Sequence, residues 1–204
     1  MHINKKIIIF DLDGVLVDSI KNMSVSWDHV KKKNSIKVPF KLYKKYIGYP
    51  FYSILKKLKI KNNYKNIKNS YDSFSNKKIS KIKLYPNVKK TLRTLSKNYV
   101  LAVITSKDKF RTNRILKKFN LSFKYVFSPS KHLKPKPHPI QILKILKKEK
   151  IKKKNCFYVG DMKVDSIFAK NAGVKFIFAM YGYETKKIKT KFSIQKFKNL
   201  EKIV

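Results

Sequence analysis

Five short apolar runs, at residues 6–10, 99–104, 123–127, 156–159 and 175–179, constrain this chain more than any other feature. Most are near-continuous in Ile, Val and Phe, the pattern of strands buried on both faces rather than on one. Between the later runs the spacing changes to helical. Phe110, Ile115, Leu116 and Phe119 share one helix face, and Ile140, Leu143, Ile145 and Leu146 share another. A third helical stretch holds Val164, Ile167 and Phe168 and stops at Gly173, which suits a left-handed helix end. Strands alternating with helices predict an α/β fold, and the right-handed crossover rule narrows it to a doubly wound, Rossmann-like parallel sheet of about five strands.

One interval breaks this alternation. Residues 20–84 contain no convincing strand, only amphipathic helical stretches rich in Lys, Asn, Tyr and Ser. Trp27 and Val30 suit one helix, and Phe51, Ile54, Leu55 and Leu58 another, with Gly48-Tyr49-Pro50 punctuating between them. The stretch 56–83 is biased in composition but keeps Leu58, Ile60, Tyr64, Ile67, Tyr71 and Phe74, so it reads as helical rather than disordered. The expected organisation is a helical insertion at 19–84 between core segments 1–18 and 85–204.

The formal charge of +40 comes from 51 basic against 11 acidic residues, and 48 of the basic residues are lysine; only Arg93, Arg111 and Arg114 are arginine. A nucleic-acid reader gathers its charge into a patch and uses arginine for bidentate contacts. Here lysine is spread evenly and arginine is nearly absent, so nucleic acid is the less favoured partner. The 48 Lys with 15 Asn and 23 Ile form a skew that A+T-rich coding produces without selection for a partner. The alternative reading is a real attraction to anions, and an anionic substrate would be drawn in either case. One cysteine, Cys156, excludes an internal disulfide or a cysteine-rich zinc site and points to a cytoplasmic protein. The early run Ile7-Ile8-Ile9-Phe10 is too short for a signal-peptide core or a membrane span, so no membrane association is expected.

Acidic residues are scarce, which makes their placement informative. Asp11, Asp13 and Asp18 follow the first strand, and Asp161 and Asp165 follow the fourth. In an open parallel sheet, ligands bind at the carboxyl ends of strands. Carboxylates about 4 Å apart repel by roughly 4 kcal/mol per pair at an effective dielectric near 20. A convergent cluster therefore needs protons or a cation, and an all-oxygen set suits magnesium. Taken singly, Asp18, Asp28 and Asp108 read as turn or helix caps.

These residues carry a resemblance. Phe10-Asp11-Leu12-Asp13-Gly14-Val15-Leu16-Val17-Asp18-Ser19 resembles the first motif of the haloacid dehalogenase-like hydrolases. Val103-Ile104-Thr105-Ser106 resembles the second, Lys134-Pro135-Lys136-Pro137-His138-Pro139 the third, and Tyr158-Val159-Gly160-Asp161 with Asp165 the fourth. The helical insertion between the first two motifs is similar to the C1-type cap of phosphoglycolate-phosphatase-like members. The resemblance implies a magnesium-dependent phosphatase acting on a small phosphorylated metabolite. Asp11 would be the nucleophile and Asp13 the general acid and base. Magnesium would be held by Asp11, the Asp13 backbone carbonyl and Asp161, with Asp165 supporting the metal's waters.

Thr105, with nearby backbone N–H groups at Ser106, would hold a phosphoryl oxygen, and Gly14 would permit an unusual backbone beside the nucleophile. Lys134 is the expected phosphate-contacting cation, with Lys136 its rival in a repeated Lys-Pro pattern. Gly48, within Tyr46-Ile47-Gly48-Tyr49-Pro50-Phe51, would lie in the substrate-facing cap loop. The related β-phosphoglucomutases carry a histidine about twelve residues after the nucleophile; Met23 stands there, which favours hydrolysis over phosphotransfer. Trp27 reads as cap core, with contact to substrate as the alternative. Cys156 reads as a small core residue, and His2, His29 and His132 have no partner pattern. A phosphatase of nucleotides or nucleic-acid ends, and a non-catalytic relative keeping the fold, are the competing readings.

Overall fold

The computed structural model describes residues 5–61, 63–130 and 132–204; His2 lies outside them. In chain order, β1 (Lys6–Phe10) leads into β2 (Val17–Asp18), then α1 (Ile20–Lys33), α2 (Phe40–Lys44), α3 (Phe51–Lys57) and α4 (Tyr64–Lys77). The chain returns through β3 (Lys83–Leu84) and continues as α5 (Val88–Leu95), β4 (Tyr99–Ile104), α6 (Lys109–Lys118) and β5 (Tyr125–Phe127). It ends with α7 (Ile140–Glu149), β6 (Cys156–Gly160), α8 (Lys163–Ala172), β7 (Lys175–Ala179) and β8 (Phe192–Ile194).

The main sheet is parallel, with order β5-β4-β1-β6-β7-β8. It has six strands, one more than the five expected. The extra strand, Phe192-Ser193-Ile194, is three residues long between Lys191 and Gln195, too short to show a period in sequence. The strand expected at 123–127 begins only at Tyr125, while Phe123 packs into the core ahead of it. A second difference lies in the supposedly strandless interval. β3 pairs antiparallel with β2 in a two-stranded ribbon, Val17 opposite Leu84 and Asp18 opposite Lys83. That ribbon joins the two ends of the helical segment to each other.

Strand alternation divides the core into two layers. Ile8 and Phe10 of β1 face the side carrying Val88, Leu92 and Leu95 of α5 and Ile115 and Leu116 of α6. Ile7 and Ile9 face the side carrying Ile142, Ile145 and Leu146 of α7 and Phe168, Ala169 and Ala172 of α8. Both faces are covered, as the unalternating strands required. Asp108 caps α6 by accepting the Arg111 N–H at 3.0 Å, and Gly173 ends α8 at φ +68°.

The helical segment has a core of its own. Trp27, Val30, Tyr43, Leu55 and Ile67 are buried together, and Met162, Val164 and Tyr183 from the sheet side complete the cluster. Trp27 is fully buried and donates its indole N–H to the Val38 carbonyl at 2.9 Å, so it is packing rather than site. His29 stacks on Phe74, and Cys156 is a buried core residue whose thiol is pushed up to about 12 by burial. Among the described residues, no helix is long and apolar enough to cross a membrane.

Candidate active site

Sheet order places the site. β1 lies between β4 and β6, and Asp11, Thr105 and Asp161 are the first residues after these three strands. Parallel neighbours deliver all three to one edge, where the chain's crossovers switch direction. Asp11 is anchored by its N–H, which donates to the Val159 carbonyl at 2.9 Å. The following loop folds back tightly, with the Gly14 N–H on the Val17 carbonyl at 2.8 Å. Gly14 is required there: its φ is +85°, and a Cβ would stand 2.1 Å from Asp161 Oδ2.

Asp11, Asp161 and Asp165 each present a carboxylate oxygen within 4.8 Å of the others, and all three are buried. Asp165, in the first turn of α8, accepts from the Met162 N–H at 3.1 Å and from the Tyr158 hydroxyl at 3.1 Å. Asp161 Oδ2 accepts the Tyr183 N–H at 2.7 Å, while Asp161 Oδ1 is buried without a hydrogen-bond partner among the described residues. Burial raises the Asp11 carboxyl to about 7 despite the opposing charge of Lys136. Burial, then the charges of Asp165 and Asp11, push Asp161 well above the carboxylate range. An orphaned oxygen in a crowded all-oxygen set fits a hard divalent cation, and Asp11, Asp161 and Asp165 are able to hold one.

The lysine of the site is Lys136, not the expected Lys134. Lys136 Nζ is 2.9 Å from Asp11 Oδ1 and 2.9 Å from Asp165 Oδ1. Burial pulls its ammonium down, but these two carboxylates prevail and hold it above the ordinary lysine value. Lys134 is exposed, and its backbone carbonyl accepts from Gln141 Nε2 at 2.8 Å. The His138 N–H closes a turn on the Pro135 carbonyl at 2.9 Å, and Lys136 runs inward past the Tyr158 and Phe168 rings. Two consecutive Lys-Pro pairs are equivalent in sequence; only the turn distinguishes the inward one. His138 and His132 are exposed.

Asp13 stands apart from the three-carboxylate group. Its Oδ1 accepts from Ser19 Oγ at 2.5 Å, and its Oδ2 is 3.2 Å from Lys107 Nζ. The Ser19 N–H in turn donates to the Tyr183 hydroxyl at 2.6 Å, so both ends of this small network are tied down. Thr105 is buried, and its Oγ1 accepts the Lys107 N–H at 3.1 Å. That leaves the hydroxyl proton free to donate. Ser106 Oγ donates to the Gly48 carbonyl at 2.6 Å, joining the end of β4 to the helical segment. Gly48 sits at φ +95°, where a Cβ would stand 2.7 Å from Val164 Cγ1.

These groups open into a cleft of about 480 Å³, its mouth included, between the sheet edge and the helices. Asp11, Asp13 and Thr105 form its floor; Met23, Tyr43, Ile47, Phe51, Ile54 and Tyr71 form its roof. Two cations that the sequence reading passed over, Lys107 and Arg111, line the wall between. Lys107 directly follows Thr105-Ser106 at a strand end, a position that could have singled it out. Arg111 is conspicuous for being an arginine in a chain that uses lysine almost everywhere.

Comparison with known proteins agrees with this geometry. The family described as haloacid dehalogenase-like hydrolase matches residues 8–179. A phosphoglycolate phosphatase of Haemophilus influenzae is 29% identical over 199 residues, covering 90% of this chain and 89% of that protein. A glyceraldehyde 3-phosphate phosphatase of Pyrococcus furiosus is 29% identical, covering 87% of this chain and 81% of that protein. Among solved structures, a haloacid dehalogenase-like family hydrolase of Streptococcus pneumoniae superposes with a TM-score of 0.85 at 22% identity, covering 98% of each chain.

Proposed function

The chain belongs to the haloacid dehalogenase-like hydrolases, and we propose that it is a magnesium-dependent phosphatase that hydrolyses the phosphate monoester of a small metabolite. One observation carries this reading: the buried Asp11 carboxylate shares Lys136 with Asp165 beside an Asp161 oxygen that has no hydrogen-bond partner among the described residues. In this reading residues 19–84 are a cap over a core made of 1–18 and 85–204.

Asp11 attacks the phosphorus; a bond forms from its carboxylate oxygen, and the bond from phosphorus to the ester oxygen breaks. Asp13 gives its proton to the departing alkoxide. Ser19 Oγ and Lys107 hold its carboxyl in one orientation for that transfer. The same carboxylate then takes a proton from water, whose oxygen attacks the aspartyl phosphate and returns Asp11 and inorganic phosphate. Asp11, Asp161 and the Asp13 carbonyl, with Asp165 behind them, would hold magnesium, which when bound would supply positive charge against the like-charge repulsion of carboxylate and phosphate. Lys136 supplies a second positive charge, and the Thr105 hydroxyl with the N–H groups around Ser106 donates to phosphoryl oxygens.

The small cleft and the relatives named for phosphoglycolate and glyceraldehyde 3-phosphate support a small substrate. The even spread of lysine gives no nucleic-acid track, and a protein acting in the cytoplasm on metabolites fits the single, buried cysteine. The test is a turnover screen over a panel of phosphorylated metabolites and nucleotides, with and without EDTA, beside Asp11→Asn. A preferred substrate lost in EDTA, restored by magnesium and lost in Asp11→Asn is the expected result. A rate that survives both treatments overturns the proposal.

A further inference from the structure

Helix α6 meets the helical segment along one stripe. Arg111, Arg114 and Lys118 are spaced i, i+3 and i+7, so they stand on one helix face. Each reaches a different point on the segment's returning edge. Arg111 Nη2 is 2.9 Å from Asp72 Oδ1, an ionic contact outside hydrogen-bond alignment. Arg114 Nη1 donates to Asn76 Oδ1 at 3.1 Å. Lys118 Nζ donates to the carbonyls of Ile79 at 2.9 Å and Ile82 at 2.8 Å. Asp72 and Asn76 are i and i+4 on α4, so the two stripes run in step.

The rungs differ in their distance from the ribbon that joins the segment's two ends. Lys118 grips the backbone immediately before β3, Arg114 acts one helical turn further out, and Arg111 another turn beyond. Opening about the ribbon would displace the Arg111 rung most. That rung is also the one in the cleft wall. The Arg111 guanidinium is pinned on the core side by Asp108, Nε to Oδ2 at 2.5 Å, and its Cζ lies 5.3 Å from the centre of the Tyr71 ring. Tyr71 packs at 4.9 Å on Phe51, and both rings belong to the roof.

Two of the chain's three arginines lie on this stripe, and Asp72 and Asp108 are two of its eleven acids. A compositional drift toward lysine would not concentrate its exceptions here, and a planar fork between two carboxylates and a ring is a place where lysine cannot substitute.

We propose that this ladder is the latch that holds the cap closed, and that Arg111 is a positioning residue that sets the aromatic roof over the bound substrate. The proposal rests on the phosphatase reading for its kinetic consequences but not for its conformational ones. A substrate that is held by the closed state binds with an apparent affinity reduced by the closed fraction, and opening governs product release. Asp72→Asn is therefore expected to raise KM by about tenfold, the scale of a partly buried ion pair, with kcat unchanged or higher. Arg111→Met, which also strips a cation from the cleft wall, should raise KM at least as much. Arg111→Lys should fall between these and the parent. Arg114→Ala should have a smaller effect, and Arg93→Ala, an exposed position on α5, none.

Spin labels at Tyr52→Cys and Lys144→Cys, both exposed, one on α3 of the helical segment and one on α7 of the sheet half, report the cap directly, with the buried Cys156 left unlabelled. The parent should give one narrow distance distribution, and Asp72→Asn a broader one extending to longer distances. A fall in kcat and kcat/KM together, or a distribution unchanged in both Asp72→Asn and Arg114→Ala, overturns the latch. A parent chain that turns over no phosphate ester removes the phosphatase reading instead, while the distance measurement still decides the ladder.

Discussion

At the strand ends, each acid of the three-carboxylate group beneath the cleft is held by regular backbone: Asp11 directly after β1, Asp161 directly after β6, Asp165 in the first turn of α8. The roof is built otherwise. Tyr43, Phe51 and Tyr71 come from three different helices and meet through ring packing, with centroids 4.9–6.5 Å apart. The floor is tied by charge-assisted hydrogen bonds such as Lys136 to Asp11, whereas the roof is joined to the core by a few polar contacts such as Ser106 to the Gly48 carbonyl. In the proposed reading, this contrast gives the chemistry to the half built on strand ends and the selection of substrate to the half that the latch would release.

Asp11→Asn breaks the floor alone. Loss of the proposed nucleophile is expected to cut turnover of a preferred phosphate ester by at least about a thousandfold, with the thermal transition preserved. Trp27→Ala breaks the roof alone. It removes the largest fully buried side chain and should destabilise the helical half by about 3–5 kcal/mol, seen as a separate early transition in urea. Divalent-cation binding, followed by calorimetry, should persist in that variant. A single cooperative transition that abolishes cation binding would show that floor and roof fold as one unit.

Smaller effects sharpen the same contrast. Lys136→Met should cost roughly 10²–10³ in kcat, as for a preorganised charge at the reacting group, while Lys134→Met stays within about twofold. The reverse ranking would return the role to the exposed lysine. Phe51→Ala should raise KM by only about tenfold with kcat nearly constant, since it removes apolar contact made equally to ground and transition states. An equal loss in kcat would move Phe51 from the roof's binding surface into the chemistry.

Legibility followed the range of the interactions involved. β1, β4 and β7 have the bounds that apolar runs predict, because buried parallel strands advertise themselves over five or six consecutive residues. β8 and the β2–β3 ribbon escaped, because two or three residues carry no period and pair only once distant segments meet. Lys107, Ser19 and Tyr183 escaped for a similar reason. Their meaning lies in contact with Asp13 or with one another, across as many as 164 residues of chain.

The sequence by itself determined the doubly wound sheet and the set of acids at its edge, because strand burial and strand-end position are local properties of the chain. Only the tertiary structure decided which of two equivalent lysines turns inward, which carboxylates converge, and which arginines grip α4. Those choices depend on turn geometry and on the approach of remote surfaces, which no local run of residues encodes.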